Sequence, residues 1–474
     1  MSESTTNVEV FVIGSGPAGQ KAAVQAAKAG KRVAICEEGR EVGGACVHHG
    51  TIPSKALRER TMERYRAVER FDELQGRAHL FKGGVAELIG EMTGVIRAHD
   101  RYMTEQLERN NIELVHGRAS FEDAHTLRVR HTNGSISVYR ADHVVIATGS
   151  KPRKPDNVAI DHEHIYDSDS ILALSYLPQT MLVLGGGVIA CEYASIFAML
   201  GVQVTLVDRY PRPLGFLDED LTDRFLAYFE RHGGVFIGEA DVADVRFDGI
   251  SQVETSFADG SVVRTDKALC ALGRVSQVEG LRIENAGVEV NERQLITVGE
   301  AGRTNIPHIY AAGDVVGPPS LASASMEQGR RVACDFLGID PGRIGDLIPT
   351  GIYSVPEMAC VGLTEAQARE KHDGVAVGYA YFAEIARGHI AQSQEGMLKL
   401  VVGGDRRVLG VHVVGAFATE LVHIGQMGLI HDAPIDTYIE NIFNFPTYAE
   451  SYRVAALDAA AALKRAGAGA EAVA

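Results

Sequence analysis

The chain has 474 residues, 46% of them hydrophobic and 23% charged, with 51 glycines and a formal net charge of -16. That length calls for about three to four domains with separate cores. The acidic balance argues against nucleic-acid partners, which need clustered Lys and Arg to release counterions. The cysteines, Cys36, Cys46, Cys191, Cys270, Cys334 and Cys360, lack metal-ligand spacing, so neither a metal site nor a structural disulfide is expected, as suits a reducing compartment. The opening MSESTTNVEVFVIG has no basic region followed by an apolar stretch. Neither a secretory signal nor a transit peptide is expected, and the reading is cytoplasmic.

The segment VEVFVIGSGPAGQKAAVQAAKAGKRVAICEE reads as a β-branched strand, a glycine turn, an Ala-rich helix and a second strand, one βαβ unit. Gly14 permits the tight turn, Gly16 lets the backbone approach a pyrophosphate, and Gly19 allows close helix packing. The helix N-terminus offers unpaired N–H groups to phosphate. Glu37 ends the second strand, about 20 residues on, where a carboxylate can accept from a ribose diol. Next comes GGACVHHGTIPSK, Gly43 to Lys55. Cys46 stands where a second cysteine five residues on would complete an exchangeable disulfide, but that position is Thr51.

VVIATGS, Val144 to Ser150, is a strand ending in a glycine turn. The βαβ pattern then recurs in TMLVLGGGVIACEYASIFAMLGVQVTLVDRY, with Gly185, Gly187 and Ala190 in the turn and Asp208 after the strand. Its apolar run is interrupted by three glycines and Glu192, so a strand, turn and buried helix explain it better than a membrane span. Two such units imply two dinucleotides and hydride transfer between them; a duplicated scaffold with one dead site is the bland alternative. VDRYPRP offers Asp208 for a diol and Arg209 or Arg212 for a 2'-phosphate, or it is a plain surface loop. HIYAAGDVVG ends a strand at Gly313-Asp314, where the acid either binds a sugar hydroxyl or caps its own turn. Beyond Thr350 come strands such as MLKLVV and VLGVHVVG among helices, and the Ala/Gly-rich tail KRAGAGAEAVA is expected to fray.

Together these motifs, with ALGR at Ala271 to Arg274 and FPTYAESYR at Phe445 to Arg453, resemble the FAD-dependent pyridine nucleotide-disulfide oxidoreductases along nearly the whole chain. The resemblance implies an α/β fold with two Rossmann-like domains, for FAD and NAD(P), and a C-terminal α+β dimerisation domain. The expected boundaries are 1–155 and 281–348 for the FAD domain, 156–280 for NAD(P) and 349–474 for the interface. It implies FAD contacts from Gly14, Gly16, Gly19, Glu37, Glu38, Gly44, Cys46, Lys55, Thr148, Gly149, Gly313 and Asp314. For NAD(P) it implies Gly185, Gly187, Ile189, Glu192, Asp208, Arg209 and Gly273.

In that family the later cysteine of the motif faces the flavin, and a histidine before Pro-Thr near the C-terminus shuttles the thiol proton. Here Thr51 and Phe445 stand in those places, while Glu450 is kept. A threonine hydroxyl cannot become a thiolate donor near neutral pH, so both departures remove the same half-reaction. Lys55 and Glu192 match the family's ion pair beside the flavin, an ordinary surface pair being the alternative. The expected catalytic set is therefore Lys55, Glu192, Thr51 and Glu450.

This pattern is similar to the transhydrogenase branch of the family, supported by GTIPSKALR, IYDSDSIL, CEYASIF, PSLASAS, PTGIY and AESYRVAAL. Such an enzyme passes a hydride from NADPH to FAD and on to NAD+, with NAD(H) and NADP(H) using one site in turn. The rivals are a diaphorase or quinone reductase and a non-catalytic flavoprotein scaffold. The resemblance also implies a homodimer or larger assembly in which Phe445, Thr447 and Glu450 reach the partner's flavin; a core-filling Phe445 is the plainer reading. No membrane partner is expected.

Overall fold

The computed structural model describes residues 5–75, 85–343 and 345–473. They form two compact units, one built from the described residues within 1–60, 77–177 and 271–343, the other from those within 61–76, 178–270 and 344–474.

In the first unit the strand Thr5–Ile13 lies between Val33–Glu37 and Ile136–Ile146 and is parallel to both. Ile309–Ala311 joins parallel to Ile136–Ile146, and Thr126–Arg130 and Arg118–Phe121 extend the sheet antiparallel. Parallel strands covered on both faces must be apolar at consecutive positions. Phe11, Ile13, Ala34, Cys36, Val144 and Ile146 accordingly fill one core. Val10, Val12, Val33, Ile35 and Val145 fill another, against Ala22, Ala23 and Ala26 of the helix Pro17–Lys28. That helix also packs on Ala322–Leu337, and only a glycine fits at Gly329, where an added Cβ would stand 2.0 Å from the Ala18 carbonyl oxygen.

The second unit repeats the theme. Its parallel strands run in the order Val235–Ile237, Gln203–Val207, Thr180–Leu184, Lys267–Cys270. The helix Val188–Met199 follows Thr180–Leu184 and is buried from Ala190 to Met199. The membrane-like run is thus a strand, turn and buried helix, and no helix among the described residues is long and apolar enough to cross a membrane. The C-terminal part is an antiparallel sheet in the order Thr350–Ile352, Met358–Gly362, Val408–Val414, Met397–Val402, Ala376–Tyr381. One face, with Ala359, Leu398, Leu400, Val411 and Val413, packs on the helices Ala418–Ile430 and Ser451–Val473. That last helix continues through the tail expected to fray. Alanine has the highest helix propensity, enough to carry Gly467 and Gly469.

Candidate active site

The first glycine turn is shaped for close backbone approach. Gly14 has φ +100, and a Cβ there would stand 2.4 Å from the Ala147 carbonyl oxygen; one on Gly19 would stand 1.9 Å from the Gly14 carbonyl oxygen. Gly16 is different, because a Cβ there would meet nothing within 4 Å. It precedes the helix Pro17–Lys28 with no side-chain cap, so unpaired N–H groups and the positive end of the helix dipole face open space, as a pyrophosphate needs. Gly44 passes over this turn, its added Cβ 3.1 Å from the Gly16 Cα.

Glu37 sits at the end of its strand as expected, but both its oxygens also hold the loop. Oε2 accepts from the Ser15 N–H at 3.0 Å and the Ser15 hydroxyl at 2.5 Å, and Oε1 accepts from the Gly39 N–H at 2.8 Å. Ser15 Oγ in turn accepts from the Gly43 N–H at 3.0 Å. This fully buried serine, which the sequence reading passed over, ties the glycine turn to the cysteine-bearing segment. Glu38 is exposed and 3.5 Å from Arg118.

Gly43 and Gly44 both have positive φ and lead into the short helix Gly44–His48 carrying Cys46; Thr51 then opens the helix Thr51–Gln75. Burial pushes the Cys46 thiol up, the nearby Thr51 side chain and Lys55 draw it back in part, and Asp314 adds to the rise. Cys46 and Thr51 are therefore neighbours, and the pair is a thiol and a hydroxyl. No disulfide joins any of the six cysteines. Lys55 is half-buried, its ammonium 3.3 Å from the Ser54 hydroxyl. Thr148 Oγ1 is buried with no hydrogen-bond partner among the described residues, and the neighbouring Gly149, at φ +70, opens on empty space. An orphaned hydroxyl beside an open glycine fits a bound polar group.

Asp314 does not cap its own turn. Its Oδ2 accepts from the Ser150 hydroxyl at 2.7 Å. Arg274 holds that serine through its hydroxyl at 2.9 Å and its carbonyl at 2.8 Å, and pairs with Asp169 at 2.7 Å. Gly313 donates its N–H to the Gln328 side chain at 2.8 Å. Ser150 and Arg274 orient the carboxylate, a coupling across more than a hundred residues that no local motif announces.

The second glycine turn has the same construction in the second unit. Gly185 has φ +108, Gly187 meets no atom within 4 Å of an added Cβ, and the helix Val188–Met199 starts there without a side-chain cap. Ile189 is half-buried on that first turn, and Ala190 is fully buried. A Cβ on Gly186 would stand 2.1 Å from Asp208 Oδ2, so the glycine leaves room for that carboxylate. Burial pushes the Asp208 carboxyl above its ordinary range, although the N–H groups of Arg209, Tyr210 and Gly186 draw it back in part. The two candidate arginines differ. Arg212 is paired with Asp223, whereas exposed Arg209 donates to the Tyr210 hydroxyl at 2.6 Å and lies 4.7 Å from its ring. Gly273, with φ +99 and open space, belongs to the first unit.

Glu192 lies buried on the helix Val188–Met199, its Oε1 accepting from the Tyr353 N–H at 2.8 Å. One turn on, Ser195 Oγ accepts from the Val355 N–H at 3.0 Å. Lys55 belongs to the first unit and Glu192 to the second. Near the C-terminus Glu450 accepts from the Thr447 N–H at 3.4 Å in a capping box. Phe445 is 68% and Ile442 94% exposed. The plainer reading of Phe445 is corrected: it does not fill this chain's core, because Pro446 and its flanking residues lie on the surface.

Comparison with known proteins identifies the family. Residues 8–329 match the family described as pyridine nucleotide-disulphide oxidoreductase, and residues 348–456 match its dimerisation domain. A soluble pyridine nucleotide transhydrogenase from Marinomonas sp. (strain MWYL1) is 40% identical over 461 residues, 96% of this chain and 98% of that one. The protein of the same name from Azotobacter vinelandii is 41% identical over 95% of this chain and 98% of its own. Among solved structures, LpdA from Mycobacterium tuberculosis superposes with a TM-score of 0.87 at 26% identity, covering 95% of this chain and 99% of its own. The HOCl-induced flavoprotein disulfide reductase RclA from Escherichia coli does so with 0.85 at 28%, over 95% and 99%.

Proposed function

The chain belongs to the pyridine nucleotide-disulphide oxidoreductase family, and from that premise we infer that it is an FAD-dependent pyridine nucleotide transhydrogenase, the activity for which its relatives are named. It moves a hydride from NADPH to NAD+, reversibly. The observation that carries this within the family is the Cys46–Thr51 contact, a thiol against a hydroxyl where a disulfide would stand.

When bound, FAD would supply the hydride-accepting and hydride-donating chemistry. The chain's residues do the rest. The N–H groups after Gly16 hold the pyrophosphate, Glu37 the adenosine ribose and Asp314 the ribityl chain, supported by the capless helix and the Ser15 and Ser150 bonds. Thr148 supplies a further hydroxyl, and Thr51 presents to the ring an oxygen that does not carry electrons. Lys55 would contribute positive charge beside the flavin, and Glu192, held by the Tyr353 N–H, would contribute a carboxylate on the nicotinamide side. Gly185, Gly187 and Ile189 receive the second pyrophosphate. Asp208 suits a diol and Arg209 a 2'-phosphate, so donor and acceptor use one site in turn. Arg212, already paired with Asp223, has the weaker claim.

The dimerisation domain points to a homodimer. In this reading Phe445, Thr447 and Glu450 meet the partner's flavin, and the exposure of Ile442 and Phe445 supports it. A cytoplasmic setting fits six cysteines outside disulfides.

The test is anaerobic turnover of holoenzyme with NADPH and a thio-substituted NAD+ of distinct absorbance. Reduction of the analogue is expected. Brisk reduction of a quinone with none of the analogue would overturn the assignment in favour of a diaphorase.

A further inference from the structure

On its second face the C-terminal sheet carries a cross-strand row that includes buried Lys399 and His412. Register places Tyr379 beside Lys399, Lys399 beside His412 and His412 beside Cys360. Lys399 is 1% exposed, and its ammonium touches three carboxylates: Asp218 at 2.8 Å, Asp220 at 2.5 Å and Glu365 at 2.7 Å. Burial alone would push the ammonium down, but hydrogen bonds to these acids hold it above the ordinary lysine value. Asp218 does more than pair. It precedes the helix Glu219–Arg231, capping it through the Asp220 N–H at 3.4 Å, and accepts from the Glu365 N–H at 2.9 Å.

The other end of that segment is the nucleotide loop. Asp208 to Asp218 carries Asp208, Arg209 and Arg212. Its Leu214 donates an N–H to the Gly186 carbonyl at 2.7 Å, inside the second glycine turn. Leu214 and Leu217 are buried, and Leu217 donates to the Leu214 carbonyl at 2.8 Å. Arg212 ties the loop to Asp223 of the same helix. The loop is therefore fixed at Gly186 near the expected pyrophosphate, and at Lys399 where the chain enters the helix. A buried ammonium with three carboxylates holds geometry at a cost in desolvation, which suits a device retained for position.

We propose that Lys399 is a positioning residue for nicotinamide-nucleotide binding: through Asp218, Asp220 and Glu365 it fixes the far end of the Asp208–Asp218 loop, and so sets affinity for the adenosine half without touching the hydride-transferring atoms. This rests on the reading of Gly185, Gly187 and Asp208 as the nucleotide site. Loss of Lys399 leaves buried Asp218 and the partly exposed Asp220 and Glu365 to repel each other without their shared cation, displacing Asp218 and the loop it anchors. Affinity for NAD+ and NADP+ weakens, while a nucleotide that does bind reacts at the usual rate.

The experiment uses FAD-loaded wild type, Lys399→Met and, as a milder variant that removes one charge at the half-exposed edge of the cluster, Asp220→Asn. Calorimetric titration with NADP+ and with NAD+ reads affinity, and stopped-flow flavin bleaching over a range of NADPH concentrations reads the rate at saturation. We expect Kd to rise about tenfold in Lys399→Met and about threefold in Asp220→Asn, with the saturating rate within about twofold of wild type. If Lys399→Met does not fold, Asp220→Asn and Glu365→Gln decide. Unchanged Kd in folded, FAD-replete variants would overturn the proposal, as would a fall in saturating rate at constant Kd. Failure of NADPH to bleach wild-type flavin would instead overturn the functional reading, so the two failures are distinguishable.

Discussion

Replacing Thr51 by cysteine asks whether one missing sulfur is all that separates this chain from a disulfide reductase. The Thr51 side chain is near enough to Cys46 to lower its thiol against the rise from burial, so Thr51→Cys would set two thiols side by side. Air oxygen would oxidise them to a disulfide, the pair losing two electrons and two protons. An ordinary cysteine is roughly a few per cent thiolate at pH 7, and burial pushes Cys46 higher, so its reactive fraction is smaller still. Phe445 offers no group to take up or return the thiol proton, and a positioned acid/base contributes about 10²–10⁴-fold. Thr51→Cys alone should therefore turn over lipoamide at no more than about a hundredth of the rate of Thr51→Cys/Phe445→His. Thiol counts in oxidised and reduced holoenzyme report the disulfide, and NADH consumption with lipoamide reports turnover. Equal turnover by the single and double variants would refute the weight placed on Phe445. Persistence of both thiols under air would refute the adjacency of positions 46 and 51.

Gly329→Ala drives a Cβ to 2.0 Å from the Ala18 carbonyl oxygen. It should cost about 1–3 kcal/mol or more, visible as a lower Tm; an unchanged Tm would contradict the helix contact. Ser15→Ala strips Glu37 of its 2.5 Å bond and leaves the Gly43 N–H without its acceptor, a loss of about 1–3 kcal/mol. FAD should then be released on ultrafiltration where wild type retains it. Asp218 and Glu365 feel burial first, which raises them, but Lys399 and their other partners hold both below the ordinary value. A depressed carboxylate adds stability above the unfolded-state pKa of about 4 and loses it as pH falls through the folded-state value. Thermal unfolding between about pH 3 and 6 should therefore show an acid limb in wild type that Lys399→Met flattens; parallel curves would contradict the pairing.

The parts legible in the sequence are those whose physics is local. A β-branched strand, three glycines, an alanine helix and a carboxylate at the next strand's end specify a βαβ turn within a short window, and both units carry the geometry those residues imply. Cys46 and Thr51 were readable as a departure because they lie five residues apart. What stayed hidden depends on long separations. Nothing local in MLKLVV marks Lys399, and only the fold brings Asp218 to it from 181 residues away. Ser150 and Arg274 likewise meet only after folding. Glu37 was seen as a ribose acceptor, but its bonds to Ser15 and Gly39 depend on a loop conformation that residue types do not dictate. The tail shows the opposite error, since its glycines suggested fraying where alanine propensity sustains a helix.

The central claim is that the flavin is the sole electron store. Anaerobic titration of holoenzyme with NADPH, followed by NAD+, tests it most directly. About one equivalent of NADPH per FAD should bleach the flavin completely, and NAD+ alone should then restore its colour with formation of NADH. A need for about two equivalents, with thiols appearing on reduction, would contradict the account, because Cys46 would then have found a disulfide partner.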